Sequence, residues 1–141
     1  MGSTMPKKSF VAKGFEHYPR DWHFSPALAA GGFVFLSGIT GVRPDGSLSS
    51  DPETQFRDTF NFVSLHLEAA GLELHDIVDL MTFHIELRKH LKTFMKVKDE
   101  FIAAPYPTWT AIGVSELITE GTLLEIRIVA ASRTSERGRA P

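Results

Sequence analysis

The chain has 141 residues and a net charge of −2, and 43% of its residues are hydrophobic, including 11 Phe. This length and composition can bury one sizeable core, so we expect a single globular domain. The charge balance argues against a nucleic-acid binder that depends on bulk positive charge. The sequence contains no cysteine, which excludes disulfides and thiolate chemistry. Because no apolar run reaches about 18 residues and no signal-peptide core is present, we expect a cytoplasmic protein without a membrane span.

The predicted domain covers residues 8–132. It lies between a flexible start or cloning remnant at residues 1–7 and a disordered tail at residues 133–141. A short strand is predicted at residues 8–12, and a loop with Tyr18 and Trp22 follows it. Residues 24–38 predict a hairpin that turns at a Gly-Gly pair. The hairpin ends at Ser37-Gly38, where the missing Cβ of glycine lets a ligand approach the backbone.

Two helices are predicted from caps and apolar periodicity. The first begins at the N-cap Asp51, with Pro52 at its first position, and ends at Gly71. Its buried stripe has spacings of three and four residues and comprises Phe56, Thr59, Phe60, Val63, Leu67 and Ala70. A long strand is predicted at residues 77–87 and a second helix at residues 90–103, before the prolines that follow it.

The last two strands carry the most informative alternation. In the final strand, Glu125 lies opposite in phase to Leu124 and Ile126, and in the strand before it Trp109 and Ala111 lie opposite in phase to Ile112 and Val114. If the helices cover the aliphatic residues, then Trp109 and Glu125 project from the other face into one cleft. The alternative is that Glu125 belongs to a solvated outer face.

The order of elements predicts an α/β fold with a single mixed sheet and two helices on one face. The strands are apolar on both faces, however. The uncovered face is too large an apolar patch for a monomer, so we expect a closed homo-oligomer. The clefts between its subunits are the expected sites for a small-molecule ligand.

Four segments resemble the Rid family, also called the YjgF or endoribonuclease L-PSP family. They are FSPALAAGGFVFLSG, DPETQFRDTFNFVSLHLEAAGLELHDIVDLMTFHIEL, PYPTWTAIGV and LLEIRIVAA. The resemblance covers roughly residues 8–132. It implies a chorismate-mutase-like fold, a homotrimer with three intersubunit clefts, and the deamination of enamines and imines.

The resemblance also implies site residues. In the deaminating members a glutamate orients the attacking water, and Glu125 matches it, while Ser37 and Gly38 match the backbone that touches the ligand. An arginine in a Pro-Ala-Arg-Ser run binds the substrate carboxylate, and Trp109 stands at its position. Phe24 replaces the tyrosine of a Tyr-Ser segment. A Pro-Tyr-Pro-x-Trp-Thr-Ala-x-Gly-Val run is shared with the YjgH-like branch of the family.

The missing arginine predicts a substrate other than a simple 2-imino acid, because an indole offers one neutral N–H in place of a charged, bidentate fork. Trp109 either stacks on a flat ligand, binds a cation by its face, or fills the space of the substrate. Glu125 is expected to keep hydrogen-bond partners from the backbone, Thr110 or ordered water, and Ala111 is predicted to line the same cleft.

The remaining candidates are weaker. His84 is either a hydrogen-bonded core residue or a base in the cleft. The six histidines show no ligand spacing, so neither a metal nor another cofactor is expected. Two functions stay open: a hydrolase of enamines or imines, and a non-catalytic trimer that binds a ligand. An endoribonuclease is disfavoured, because the sequence has no paired-histidine constellation and no basic groove.

Overall fold

The structure is a computed structural model that describes residues 6–132, so the expectations for the two chain ends lie almost entirely outside the described residues. Within that range the elements follow the predicted order. They are β1 (Lys8–Phe10), β2 (Ala27–Ala30), β3 (Phe33–Leu36), α1 (Pro52–Ala69), β4 (Ile77–His84), α2 (Leu87–Phe101), β5 (Thr108–Gly113) and β6 (Leu124–Ala131). Short helical turns also lie at Tyr18–Trp22 and Leu74–Asp76.

All six strands form one sheet in the order β1-β2-β3-β6-β4-β5. Neighbouring strands are antiparallel except β4 and β5, which are parallel and are joined through α2. The sheet is therefore mixed, as the sequence predicts. Its edges are β1 and β5.

Helix α1 begins where the capping residues place it. The Asp51 carboxylate accepts a hydrogen bond from the Thr54 backbone N–H at 3.0 Å, and Gly71 follows the helix with a φ of 79°. Strand β4 ends earlier than predicted, at His84, and α2 begins earlier, at Leu87. The reason is the turn at Glu86, whose φ of 51° is incompatible with a strand.

The core lies between the sheet and the two helices, which cover the same face. The helices contribute Phe56, Phe60, Val63, Leu67, Phe94 and Val97, and the sheet contributes Val34, Leu36, Leu80, Leu124, Ile126 and Ile128. On β6 the alternation of buried and less buried residues follows the prediction, with Leu124 and Ile126 under the helices.

The other face of the sheet is uncovered in this single chain. Phe33, Phe35 and Ile112 are 44%, 38% and 39% exposed. Large apolar side chains exposed together are unusual for a monomer. Exposed apolar side chains are thus present on this face, as expected from the sequence, but Trp109 is not among them.

The predicted orientation of β5 is wrong. Trp109 pairs in register with the buried Leu80, and its ring lies 5.9 Å from the ring of Phe94 on α2. Trp109 therefore packs under the helices, and Ile112 faces outward. Alternation determines which residues share a face but not which face is covered, and here the largest side chain of the strand is the one that the helix buries.

Candidate functional site

A cavity of about 350 Å³ lies within the chain, a volume suited to a small organic ligand. It is bordered by the loop that contains Tyr18 and Trp22, by the segment after β3, by α1 and by β6. Its wall includes the aromatic side chains Phe15, Tyr18, Trp22 and Phe24 beside aliphatic, threonine and glycine residues. The charged or titratable side chains that line it include Glu125 and His66.

The aromatic wall is built from rings that contact one another. The ring of Tyr18 lies 5.2 Å from that of Phe24 and 6.1 Å from that of Trp22, and Phe15 packs edge-on against His66 at 4.9 Å. Burial raises the pKa of the Tyr18 hydroxyl, so this ring stays neutral. Such a wall favours flat, apolar ligands.

The carboxylate of Glu125 approaches the backbone of Gly38 more closely than any side chain at that position would allow. A Cβ placed on Gly38 would overlap the Glu125 carboxylate. Gly38 is therefore required here for close approach rather than for a positive φ.

Glu125 is half-buried, and no described residue donates a hydrogen bond to it, Thr110 included. Burial raises the pKa of this carboxyl group above its ordinary value. An unpartnered, partly desolvated carboxylate in a cavity can bind a ligand donor or a water molecule, and its raised pKa is suited to proton transfer.

His66 is another polar residue of the wall. Its Nδ1 lies 3.0 Å from the Phe62 carbonyl oxygen, and because a carbonyl only accepts, Nδ1 carries the hydrogen. Nε2 is buried and has no hydrogen-bond partner among the described atoms. Burial lowers the pKa of the imidazole, which favours the neutral ring, with Nε2 as an acceptor.

None of the described residues that line the cavity is Lys or Arg. Arg127, two positions after Glu125 on β6, is outside this wall and lines a separate open pocket with Lys7. The described part of the cavity wall thus offers neither a Lys nor an Arg to hold a ligand carboxylate.

The predicted site residues fall into two groups. Phe24, Gly38 and Glu125 line the cavity together. Ser37 lies outside its wall and donates through Oγ to the Ser25 carbonyl at 2.7 Å. The other predicted residues outside the wall are Trp109, Thr110, Ala111 and His84.

The partly buried Trp109 and the buried His84 instead belong to one hydrogen-bonded group under α2. The Trp109 indole N–H donates to the Thr82 hydroxyl at 2.9 Å, and Nε2 of His84 lies 2.7 Å from the same oxygen. Lys98 lies above the indole at 4.7 Å. Burial lowers the pKa of His84 to about 4, so this ring is neutral at pH 7. His84 is thus the hydrogen-bonded core residue of the two alternatives.

Sequence reasoning missed Phe15 and His66 as wall residues. The loop with Tyr18 and Trp22 was singled out only as a place where function is common. For His66 a signal was present, because it is a polar residue between Val63 and Leu67 in the buried part of α1. A histidine at such a position needs a partner.

The described residues contain no group of three or more His, Asp or Glu side chains that could hold a metal ion. Among the helices of residues 6–132, none combines the length and apolarity needed to cross a membrane.

Residues 18–132 match the family model of endoribonuclease L-PSP. The chain belongs to this family. It is 39% identical over 108 residues to the RutC family protein YjgH of Escherichia coli K12, covering 76% of this chain and 81% of the relative. A solved structure of protein YJGH superposes with a TM-score of 0.84 at 32% identity, covering 92% of this chain and 98% of the other.

Another relative is named for an activity. It is the 2-iminobutanoate/2-iminopropanoate deaminase of Dermatophagoides farinae, 28% identical over 96 residues, with 67% of this chain and 74% of the relative covered. At least one relative of this chain is therefore named as an imine deaminase.

The buried position of Trp109 leads to a stability prediction. Trp109→Phe removes the indole N–H bond to Thr82 and should lower the free energy of unfolding by about 1–3 kcal/mol. Trp22→Phe is the matched control, because Trp22 is 53% exposed, and it should change this free energy by no more than about 0.5 kcal/mol. Urea unfolding at a fixed protein concentration measures both. Equal losses in the two variants would contradict the placement of Trp109 under α2.

Proposed function

We propose that this family member hydrolyses enamines or imines in the aromatic cavity and that Glu125 is the catalytic residue. The observation that supports the proposal is the unpartnered, half-buried carboxylate of Glu125, held against Gly38 in the wall of the cavity. A carboxylate without protein partners can accept a proton from a water molecule.

In the proposed reaction, Glu125 takes a proton from water as the water oxygen bonds to the carbon of the C=N group. Glu125 passes this proton to the nitrogen, which gives a tetrahedral intermediate with a hydroxyl and an amino group. The hydroxyl proton then moves through Glu125 to the amino nitrogen as the C–N bond breaks, and a carbonyl compound and ammonia are released. An enamine enters the same sequence after its tautomerisation to the imine. The Gly38 backbone allows the reacting atoms to approach the carboxylate, because no Cβ intervenes.

The proposed substrate is neutral or cationic and carries a flat apolar group. Three features support this class: the aromatic wall, the Glu125 carboxylate, and the absence of Lys and Arg from the described lining. An anionic 2-imino acid would enter a desolvated cavity without a counter-charge, which is unfavourable.

The second candidate function is a non-catalytic protein that binds a ligand in the same cavity. Both functions use the same wall, and they differ only in whether Glu125 activates water. Measurements of turnover therefore distinguish them, and measurements of binding do not.

We also propose that the chain assembles as a homotrimer through the uncovered face of the sheet. The exposed Phe33, Phe35 and Ile112 support an interface there, because burial of such side chains against a second copy is favourable. In this proposed assembly the edge strand β5 of one subunit borders a neighbour, and the aromatic cavity of each chain opens towards a cleft between subunits.

Substitution of Glu125 tests the catalytic role. Phenylmethanimine, generated in the assay by an amine oxidase acting on benzylamine, is a neutral aromatic imine whose hydrolysis releases benzaldehyde. The wild-type protein should accelerate benzaldehyde formation. Glu125→Gln keeps the shape of the side chain but should lower the catalysed rate at least about 100-fold. Glu116→Gln, at an exposed glutamate outside the cavity, should retain the full rate.

Two further measurements, a second substrate and a pH profile, extend the test. Hydrolysis of 2-aminoacrylate, an anion generated in a coupled assay, should be near background. The wild-type rate on phenylmethanimine should fall as the pH falls through the pKa of Glu125, and the fall should begin at a higher pH than for an ordinary glutamate, because burial raises this pKa. Absence of any turnover by the wild type would favour the binding protein, and full activity of Glu125→Gln would rule out the proposed role of the carboxylate.

The assembly is tested by light scattering, which should give three times the chain mass for the wild type. Phe35→Asp should shift the protein towards monomers, because the charge would be buried in the proposed interface. Leu65→Asp is the matched control on α1, where the side chain is 41% exposed, and it should remain trimeric. A monomeric wild-type protein would contradict the assembly, as would dissociation of both variants alike.

A further inference from the structure

Two large apolar side chains of the cavity wall are largely exposed to solvent. Among residues 6–132, three large hydrophobic side chains are more than half exposed: Ile118 at 80%, Tyr106 at 70% and Trp22 at 53%. Ile118 and Trp22 both line the aromatic cavity, whereas Tyr106 does not. A side chain that borders a cavity and stays largely exposed lies where the cavity opens to solvent. Trp22 and Ile118 therefore mark the mouth of the cavity.

Other parts of the wall are buried. Phe15, Pro26, Ile39 and His66 line the cavity as buried residues. The cavity thus extends from a buried part to an open mouth. Its volume of about 350 Å³ suits a drug-sized ligand, which is larger than a single aromatic ring. A ligand that fills this space continues beyond its first ring.

The backbone around Trp22 presents its side chain at the mouth. Trp22 is the last residue of the helical turn Tyr18–Trp22, and His23 follows it with a φ of 59°. The indole packs edge-on against the ring of Tyr18, with 6.1 Å between the ring centroids. The exposed ring is thus supported by the cavity wall itself.

Ile118 lies in the connection between β5 and β6, and hydrogen bonds hold the chain just after it. The Thr122 backbone N–H donates to the Thr119 carbonyl at 3.1 Å, and the Gly121 carbonyl accepts from the Gln55 side chain of α1 at 3.1 Å. Because this part of the connection is already held, little ordering of the backbone has to accompany ligand binding there.

We propose that Trp22 and Ile118 determine specificity by binding an apolar group that the ligand carries beyond its aromatic ring. Contact with such a group removes both exposed side chains from water, which is favourable. A ligand is favoured over a second copy of the chain as the occupant, because both side chains border the same cavity as Glu125. The ligand class is therefore an aromatic amine or imine with an alkyl or second ring substituent.

This inference rests on the proposed function only in taking the cavity as the ligand site. It adds two residues and a ligand property that catalysis at Glu125 does not require.

The test compares two probes that differ only in an apolar substituent. Benzylamine ends at its ring, and 4-butylbenzylamine adds four carbons; both are cations, which suits a cavity that contains Glu125. The wild-type protein should bind the butyl probe about 10- to 100-fold more tightly in calorimetric titrations, because each added carbon contributes about 2- to 3-fold when it is partly buried.

Variants at the mouth should weaken this preference for the butyl probe. Ile118→Asn and Trp22→Ser should each lower it at least about 3-fold, because each removes apolar surface from the mouth. Leu65→Asn and Tyr106→Ser are the matched controls at exposed side chains outside the cavity, and they should keep the wild-type preference.

Tryptophan fluorescence tests the contact without a substitution at the mouth. The chain contains two tryptophans, so in Trp109→Phe all tryptophan emission comes from Trp22. Acrylamide should quench this emission less when 4-butylbenzylamine is bound. Benzylamine should protect the indole less, because it has no group to cover the mouth.

The inference is overturned if neither probe binds, if the mouth variants keep the full butyl preference, or if the butyl probe leaves the quenching of Trp22 unchanged. A change in the light-scattering mass of the mouth variants would show that a second copy covers the mouth, and would also overturn it.

These outcomes are separable from failure of the proposed hydrolase. Turnover of phenylmethanimine that depends on Glu125, without a butyl preference, would sustain the catalytic proposal and reject this one. A butyl preference that depends on Trp22 and Ile118, without turnover, would do the reverse.

Discussion

The fit between β6 and the segment that follows β3 is the constraint on which the site depends. Ile39 and Ile126 exchange two backbone hydrogen bonds of 2.8 Å, which hold the segment against the strand. Gly38, beside this pair, leaves room for the Glu125 carboxylate, and a Cβ at Gly41 would come within 2.8 Å of the Gln55 carbonyl on α1. Because the two glycines allow this approach, a charged group is held at the cavity wall by backbone pairing rather than by a salt bridge.

Gln55 connects this arrangement to the rest of the molecule. Its buried side-chain amide donates to the carbonyls of Ser49 and Gly121 and accepts from the Leu123 N–H at 2.6 Å. The beginning of α1 is thus joined to the loop that leads into β6. The position of Glu125 therefore depends on a polar side chain that the sequence alone presents as one more helical residue.

How well the sequence predicts each element and its covered face depends on how clear the local residue pattern is. The caps of α1 and the alternation on β6 are unambiguous, so those elements and the covered face of β6 are predicted well. On β5 each phase carries one large apolar side chain, and the choice between Trp109 and Ile112 depends on the space beneath α2. The wall of the cavity was equally hard to predict, because Phe15 and His66 are distant in sequence from Glu125 and meet it only in the folded chain.

The central claim is that Glu125 is a half-buried carboxylate in the wall of a ligand cavity, without a hydrogen-bond donor among residues 6–132. Its pKa is the most direct test, measured by ¹³C NMR of glutamate carboxyl groups during a pH titration and assigned with the Glu125→Gln variant. The account predicts a pKa above that of an ordinary glutamate, because burial disfavours the charge and no described donor stabilises it. A pKa at or below the ordinary value would show a solvated or hydrogen-bonded carboxylate and contradict the account.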